Sequence, residues 1–158
     1  MSSKQVIGSL TANDSSAKFD KGTLFTDPST GYAYRYILVE DAALANGDVC
    51  EYSDTTGYEV TKCAGSSSIG NCVAGVAVGT ITDAYYGWIM VSGRHSAIRT
   101  DGGVSAGHIL TPHASYTGRA ESVLASGSTS DEVFGFALEN DSSSSTTLSN
   151  CAGIVRCM

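Results

Sequence analysis

One short stretch of the chain brings together a serine, histidines and a carboxylate, the residue types that nucleophilic catalysis uses. Gly103-Val104-Ser105-Ala106-Gly107 matches the G-x-S-x-G pattern, which in α/β-hydrolases places a serine on a strained turn between a strand and a helix. Here the following residues, His108-Ile109-Leu110-Thr111-Pro112, are typical of a strand, and His108 follows Ser105 too soon for an acid to stand between them. We therefore interpret this motif as a turn.

A second set of triad residue types lies just upstream, where Arg94-His95-Ser96 precedes Asp101. Triad partners normally come from separate structural elements, so a surface loop is the better interpretation. His95, His108 and His113 are candidate metal ligands, but no carboxylates stand at a spacing that would complete such a site. The sequence therefore predicts no enzyme activity, no metal and no cofactor.

The number and spacing of the cysteines favour free thiols over a metal site. The start of the chain, Met1 to Gln5, leads into no apolar signal region, so we expect no secretory signal. Without export, buried thiols are the expected state, although Cys50 and Cys63 could form a disulfide across a hairpin and zinc binding is a weaker alternative. No C-x-x-C pair occurs among the five cysteines, which are Cys50, Cys63, Cys72, Cys151 and Cys157.

Composition limits the fold and the partners. The 158 residues carry a net charge of −7, with lysine and arginine scattered singly, which argues against binding to nucleic acid or to an anionic membrane. No apolar run is long enough to span a bilayer. Only 16% of the residues are charged and 18 are glycine, which favours a turn-rich, all-β fold over a helical one.

The pattern along the chain predicts an extended N-terminal arm, residues 1–30, followed by one domain, residues 31–158. Tyr32 to Glu40 is the most β-prone stretch, and short apolar runs separated by glycine and serine turns continue from there to the end. About ten such strands predict an all-β domain, a small β-barrel or sandwich.

Two of the predicted strand pairs look alike, since each strand begins with glycine. Gly75-Val76-Ala77-Val78 precedes Gly87-Trp88-Ile89-Met90-Val91, and Gly135-Phe136-Ala137-Leu138 precedes Gly153-Ile154-Val155-Arg156-Cys157. The connecting loops differ in length. The likeness is therefore either a decayed duplication or a coincidence between two hairpins.

Tyr32, Tyr34 and Tyr36 alternate along the strongest strand, so they share one of its faces. Tyrosine combines apolar area with a polar tip, which suits a protein-contact surface or a carbohydrate site. The same row could equally form a wall of the core. All three interpretations stay open at this point.

The stretch from Ala74 to Gly93, with its G-V-A strand and its G-W-I-x-V-x-G strand, resembles the decoration (cement) proteins of tailed-bacteriophage capsids. The G-x-A-L-E strand at Gly135 to Glu139 and the turns Ala45-Asn46-Gly47-Asp48-Val49 and Ala106-Gly107-His108-Ile109-Leu110 add to the resemblance, which covers roughly residues 40–158. It implies a β-barrel protein that is made in the bacterial host cytoplasm and then bound to the outer capsid surface of the virion.

Under this resemblance the partners are the major capsid protein and two further copies of the chain in a homotrimer that bridges capsomers. The arm and the tyrosine strand are the expected contacts. The predicted contact residues are Lys4, Val6, Ile7, Leu10, Phe19, Tyr32, Tyr34 and Tyr36. The main alternative is a phage fibre, baseplate or host-adhesion module with a carbohydrate-binding face, and a small hydrolase using Ser105 and His108 is a third.

Overall fold

The computed structural model describes residues 8–53, 57–64, 73–123, 133–141 and 148–157. These residues form β-strands, turns and loops, and no helix occurs among them. The predicted all-β fold of about ten strands is therefore confirmed. The strands are β1 Leu24–Thr26, β2 Ala33–Val39, β3 Val49–Tyr52, β4 Glu59–Lys62, β5 Val73–Ala77, β6 Tyr86–Thr100, β7 Ile109–Pro112, β8 Ala120–Ser122, β9 Gly135–Ala137 and β10 Ser149–Arg156.

Five strands close into a first ring, which we call barrel 1. Going around it, β2 pairs with β4, β4 with β3, β3 with β5, β5 with the first half of β6, and β6 again with β2. The β2–β4 pair is parallel and the other pairs are antiparallel. Alternate side chains point inward and fill the ring; they include Ile37, Val39, Cys50, Val60, Ala77 and Ile89.

A second ring, barrel 2, repeats this arrangement. The second half of β6 pairs with β8, β8 with β7, β7 with β9, β9 with β10, and β10 again with β6. Once more a single pair, β6–β8, is parallel. The interior side chains include Ile98, Val104, Leu110, Ala120, Phe134, Ala137, Cys151 and Val155.

Backbone hydrogen bonds match between the two barrels at positions sixty residues apart. The Gly47 amide donates to the Ala77 carbonyl at 2.8 Å, as the Gly107 amide donates to the Ala137 carbonyl at 2.9 Å. Likewise, the Ile81 amide donates a hydrogen bond to the Leu44 carbonyl, as the Asp141 amide donates to the Val104 carbonyl. The chain is therefore an internal structural repeat of one five-stranded unit.

The glycine-led strand pairs do occupy equivalent places in this repeat, but their register differs from the one the sequence suggested. Ala77 pairs with Ile89 in barrel 1, and Ala137 pairs with Gly153 in barrel 2. Gly153 is thus equivalent to Ile89. The alignment of Gly87 with Gly153 is wrong by two positions.

Strand β6 is longer than predicted because Gly93 bends it without ending it. The glycine-led strand predicted at Gly87 to Val91 and the surface loop predicted at Arg94-His95-Ser96 are parts of this one strand, so the loop prediction is wrong. In the structure Gly93 has φ of 132°, and a Cβ atom there would lie 2.6 Å from Cγ of Tyr32. Glycine therefore lets the strand pass close under the tyrosine ring and continue from barrel 1 into barrel 2.

A buried carboxylate joins the two barrels. Asp48, on the turn before β3, is 1% exposed and accepts a hydrogen bond from the Ala45 amide at 2.8 Å. Its other contacts are Nη1 of Arg99 in barrel 2, at 2.7 Å, and Nζ of Lys62 in barrel 1, at 3.4 Å. Two cations and one amide thus compensate the cost of burying this charge.

Candidate functional site

The N-terminal arm packs over an aromatic cluster on the outside of barrel 1. The Phe19 ring lies 5.2 Å from Tyr36 and 5.4 Å from Trp88, measured between ring centroids. Phe25 stacks on Tyr34 at 6.4 Å, and β1 pairs with β2. The described part of the arm therefore belongs to the core of its own molecule.

Polar contacts fix the same segment. The Tyr36 hydroxyl accepts a hydrogen bond from the Lys18 amide at 3.1 Å and donates to Oδ2 of Asp14 at 3.2 Å. Asp14 also forms an isolated β-bridge with Tyr86, and Lys21 forms an ion pair with Glu59. Burial, the largest influence, raises the pKa of Tyr36, so this hydroxyl stays protonated and can donate.

A cavity of about 350 Å³ lies where the arm crosses the barrel. Asp14 and Lys18 supply its charged groups, and Phe19 and Trp88 supply its apolar wall. Trp88 is only 1% exposed, so its ring face is not open for stacking on a ligand. The remaining lining residues are Gly8, Ser9 and Ala12.

The predicted contact residues fall into three groups. Lys4, Val6 and Ile7 lie outside the described residues. Leu10 and Phe19 are partly buried against the core. Tyr34 and Tyr36 are 6% and 0% exposed beneath the arm, while Tyr32 is partly exposed. Burial of Tyr34 and Tyr36 agrees with the core interpretation, and contact between these residues and a partner stays a prediction.

The residues of the G-x-S-x-G motif form a turn, as predicted. The His108 amide donates to the Ser105 carbonyl at 3.0 Å, and Nδ1 of His108 accepts from the Ser105 amide at 3.2 Å. The Ser105 backbone, rather than its hydroxyl, is therefore what His108 contacts. The His108 ring also hydrogen bonds to Oγ of Ser122 at 2.9 Å.

The other triad residue types are not brought together. His95 is 3% exposed, with Nε2 at 3.0 Å from the Ala77 carbonyl and Nδ1 accepting from the Ala97 amide at 3.1 Å. Burial lowers the pKa of His95, which keeps the ring neutral. Oδ2 of Asp101 instead lies 2.5 Å from Nε2 of His113. Nδ1 of His113 accepts hydrogen bonds from the backbone amides of Ser115 and Tyr116. The His95 and His113 rings therefore both form hydrogen bonds with backbone groups.

The cysteines found among the described residues include buried thiols, and Cys72 lies outside that part of the chain. Cys50 points into barrel 1, whereas Cys63 lies on its outer side and donates to Oε2 of Glu51 at 3.3 Å. A Cys50–Cys63 disulfide is therefore excluded. Burial raises the pKa of Cys151 to about 12 and that of Cys50 further still. In the described ranges, no cluster of three or more histidine, cysteine or carboxylate side chains could hold a metal.

Sequence reasoning missed an apolar surface on barrel 2. Ile109, Val123, Phe136 and Leu138 are each between 38% and 46% exposed. Ile109 and Phe136 are direct neighbours across β7 and β9. The alternation of inward and outward residues in these strands could have revealed the surface, but only with the correct pairing of β7 and β9.

The fold and surfaces define a class of protein, namely a double barrel of two five-stranded rings that share one strand. No family model and no curated protein sequence matches the chain. Among solved structures, it is similar to the head fiber gp8.5 N base of bacteriophage phi29, with 16% sequence identity and a TM-score of 0.48. The match covers 78% of this chain and 93% of that chain. At this level the similarity assigns neither a family nor a function. None of the described residues forms a helix that is long and apolar enough to cross a bilayer.

Proposed function

We propose that this chain is a structural virion protein, a capsid decoration protein that binds the outer surface of a phage head as a trimer and stabilises contacts between capsomers. Under this proposal it is not an enzyme. The resemblance of β5, the first half of β6, β9 and β10 to decoration proteins supports the proposal. So does the engagement of His95, His108 and His113 with backbone groups.

The observation that carries the proposal is the distribution of apolar side chains at the surface. Of nine large apolar side chains that are exposed among the described residues, seven lie on barrel 2 and its loops, and four of these, Ile109, Val123, Phe136 and Leu138, form one surface. Scattered exposed apolar residues are ordinary, but a grouped set marks a surface that binds another protein. Such a chain works by assembly.

The carbohydrate-binding alternative has less support. A sugar site of this kind needs exposed aromatic faces. Tyr34, Tyr36 and Trp88 are covered by the arm and by neighbouring rings. Binding of the isolated protein to a glycan array would favour the alternative over the capsid role.

Sedimentation with purified phage capsids tests the proposed function. We expect the chain to co-sediment in a fixed ratio to the major capsid protein and to raise the resistance of capsids to heat or chelator. Replacing Val6 and Ile7 together by aspartate removes two predicted contacts and is expected to abolish co-sedimentation. The matched control is Leu148→Glu, which adds charge at an exposed position outside the predicted contact set. Absence of the wild-type chain from the capsid pellet would refute the proposal.

A further inference from the structure

We propose that the exposed apolar surface of barrel 2, formed by Ile109, Val123, Phe136 and Leu138, binds barrel 1 of a second copy of this chain. We call it the barrel 2 face. The inference rests on the proposed trimer and deepens it, because it names the surfaces through which the copies associate.

The internal repeat supplies the first argument. The positions of barrel 1 equivalent to Ile109, Val123 and Phe136 are Val49, Cys63 and Val76, sixty residues earlier. These three are 0%, 1% and 0% exposed, and they belong to one apolar cluster with the interior of barrel 2. Their counterparts are 46%, 39% and 38% exposed. The same face is thus covered in one barrel and open in the other.

The covered face shows what kind of surface fits it. The Arg99 amide donates to the Gly47 carbonyl at 2.9 Å, the Val49 amide to the Gly118 carbonyl at 3.0 Å, and the Gly118 amide to the Cys63 carbonyl at 2.8 Å. Barrel 1 contributes the turn before β3, whereas barrel 2 contributes Arg99 and the turn before β8. The two barrels therefore meet through different surfaces, head to tail. A two-fold contact would use equivalent ones.

A head-to-tail contact leaves one free surface at each end of the chain. The barrel 2 face is free at one end. At the other end, Tyr58 of barrel 1 is the equivalent of Gly118, because the bonds Ser53 amide to Glu59 carbonyl and His113 amide to Arg119 carbonyl have the same register. We therefore expect the surface around Tyr58 of a second copy to bind the barrel 2 face.

The surface around Tyr58 is also apolar. Leu24 and Tyr58 are 50% and 42% exposed, and they are the two large exposed apolar side chains of the described residues that lie outside barrel 2. Leu24 is the direct neighbour of Arg35 across β1 and β2, and the Arg35 guanidinium lies over the Tyr58 ring at 5.2 Å. We call Leu24, Arg35 and Tyr58 the barrel 1 face. The described exposed apolar area thus lies mainly at the two ends that a head-to-tail contact would join.

A head-to-tail contact that repeats from copy to copy closes into a ring when the rotation between copies divides a full turn evenly. One such contact, used three times, produces the proposed trimer with both faces covered in every copy. Each copy then buries both of its apolar ends.

Analytical ultracentrifugation of the full chain, without capsids, tests this inference. We expect the wild type to form a trimer and the variants Ile109→Glu and Leu24→Glu each to lose it. Each variant keeps one intact face, so mixing the two should give a one-to-one complex that grows no further. That complex also shows that both variants are folded. If Ile109→Glu does not fold, Phe136→Glu replaces it.

Leu148→Glu is the matched control. Leu148 is 42% exposed and directly precedes β10, and six residues of chain at about 3.3 Å each place it about 20 Å from Ile154, the neighbour of Phe136. This variant should remain a trimer. A monomeric wild type, variants that keep the wild-type mass, or mixed variants that stay monomeric while folded would each overturn the inference. Since no capsid is present, loss of capsid binding with an intact trimer would count against the proposed function alone.

Discussion

The junction between the barrels depends on the Asp48 carboxylate, and Asp48→Asn tests that dependence. Asparagine has the shape of aspartate and can still accept a hydrogen bond from the Ala45 amide, but it leaves the Arg99 and Lys62 cations without a negatively charged partner. Removing one partner of a fully buried ion pair costs about 3 to 5 kcal/mol. The Arg99 and Lys62 side chains are 23% and 28% exposed, so water can solvate them in part. We therefore expect a loss of about 2 to 3 kcal/mol, a factor of roughly 30 to 160 in the folding equilibrium.

Urea unfolding measures this loss. With a slope of about 2 kcal/mol per molar urea, the midpoint should fall by about 1 to 1.5 M while the slope stays unchanged. A double-mutant cycle with Arg99→Met isolates the pair, and the coupling energy should be at least about 1 kcal/mol.

The internal repeat provides a control for this experiment. His108 stands at the position equivalent to Asp48 and accepts the Ser105 amide, as Asp48 accepts the Ala45 amide. His108→Ala should therefore cost only about 1 kcal/mol, since it removes two hydrogen bonds, to the Ser105 amide and the Ser122 hydroxyl, without stranding a buried cation. A free energy of unfolding for Asp48→Asn within about 0.5 kcal/mol of the wild type, or an equal loss in His108→Ala, would refute the reasoning.

Three further predictions concern other parts of the fold. Burial lowers the pKa of His95 below its ordinary 6.5, so as the pH drops from 7 towards 5 the unfolded chain is protonated first and the thermal midpoint should fall. His95→Gln should make the thermal midpoint depend less steeply on pH. An unchanged dependence in this variant would contradict the prediction. Gly47 and Gly107 share a φ near 85°, but a Cβ at Gly47 would lie 1.9 Å from the Ala97 carbonyl oxygen whereas Gly107 has open space. Gly107→Ala should therefore cost about 1 to 2 kcal/mol and Gly47→Ala clearly more, measured by thermal unfolding, and equal losses would contradict this. Cys50 and Cys151 should react with a thiol reagent at pH 8 only after unfolding, as peptide mass mapping would show, because burial raises the pKa of both thiols; labelling of either in the native protein would contradict it.

Local patterns predicted the strands and turns of this chain well. Short apolar runs and glycine turns both follow from residues close together in sequence. The turn at Ser105 could be recognised because no helix pattern follows it. The interpretation of Tyr34 and Tyr36 had to stay open, since only the structure shows Phe19 and Phe25 lying over them.

Pairing between distant strands was beyond the reach of the sequence. Glycine commonly ends strands, whereas the role of Gly93 under the Tyr32 ring depends on a contact with a residue sixty-one positions earlier. The register of Gly153 depends on its pairing with Ala137. The barrel 2 face becomes visible only after β7 and β9 are known to be neighbours, because a one-residue slip exchanges the inner and outer side chains.

The shared strand β6 also affects how the chain unfolds and folds. It supplies one strand to each barrel, so losing either ring removes a strand from the other, and we expect the two repeats to unfold as one cooperative unit. Its main neighbours, β2 and β10, lie about fifty residues away on either side in sequence. Contacts of such long range slow folding, since the chain loses much of its freedom before they form. We therefore expect this polypeptide, although it is built from two copies of one small barrel, to fold and unfold as a single domain.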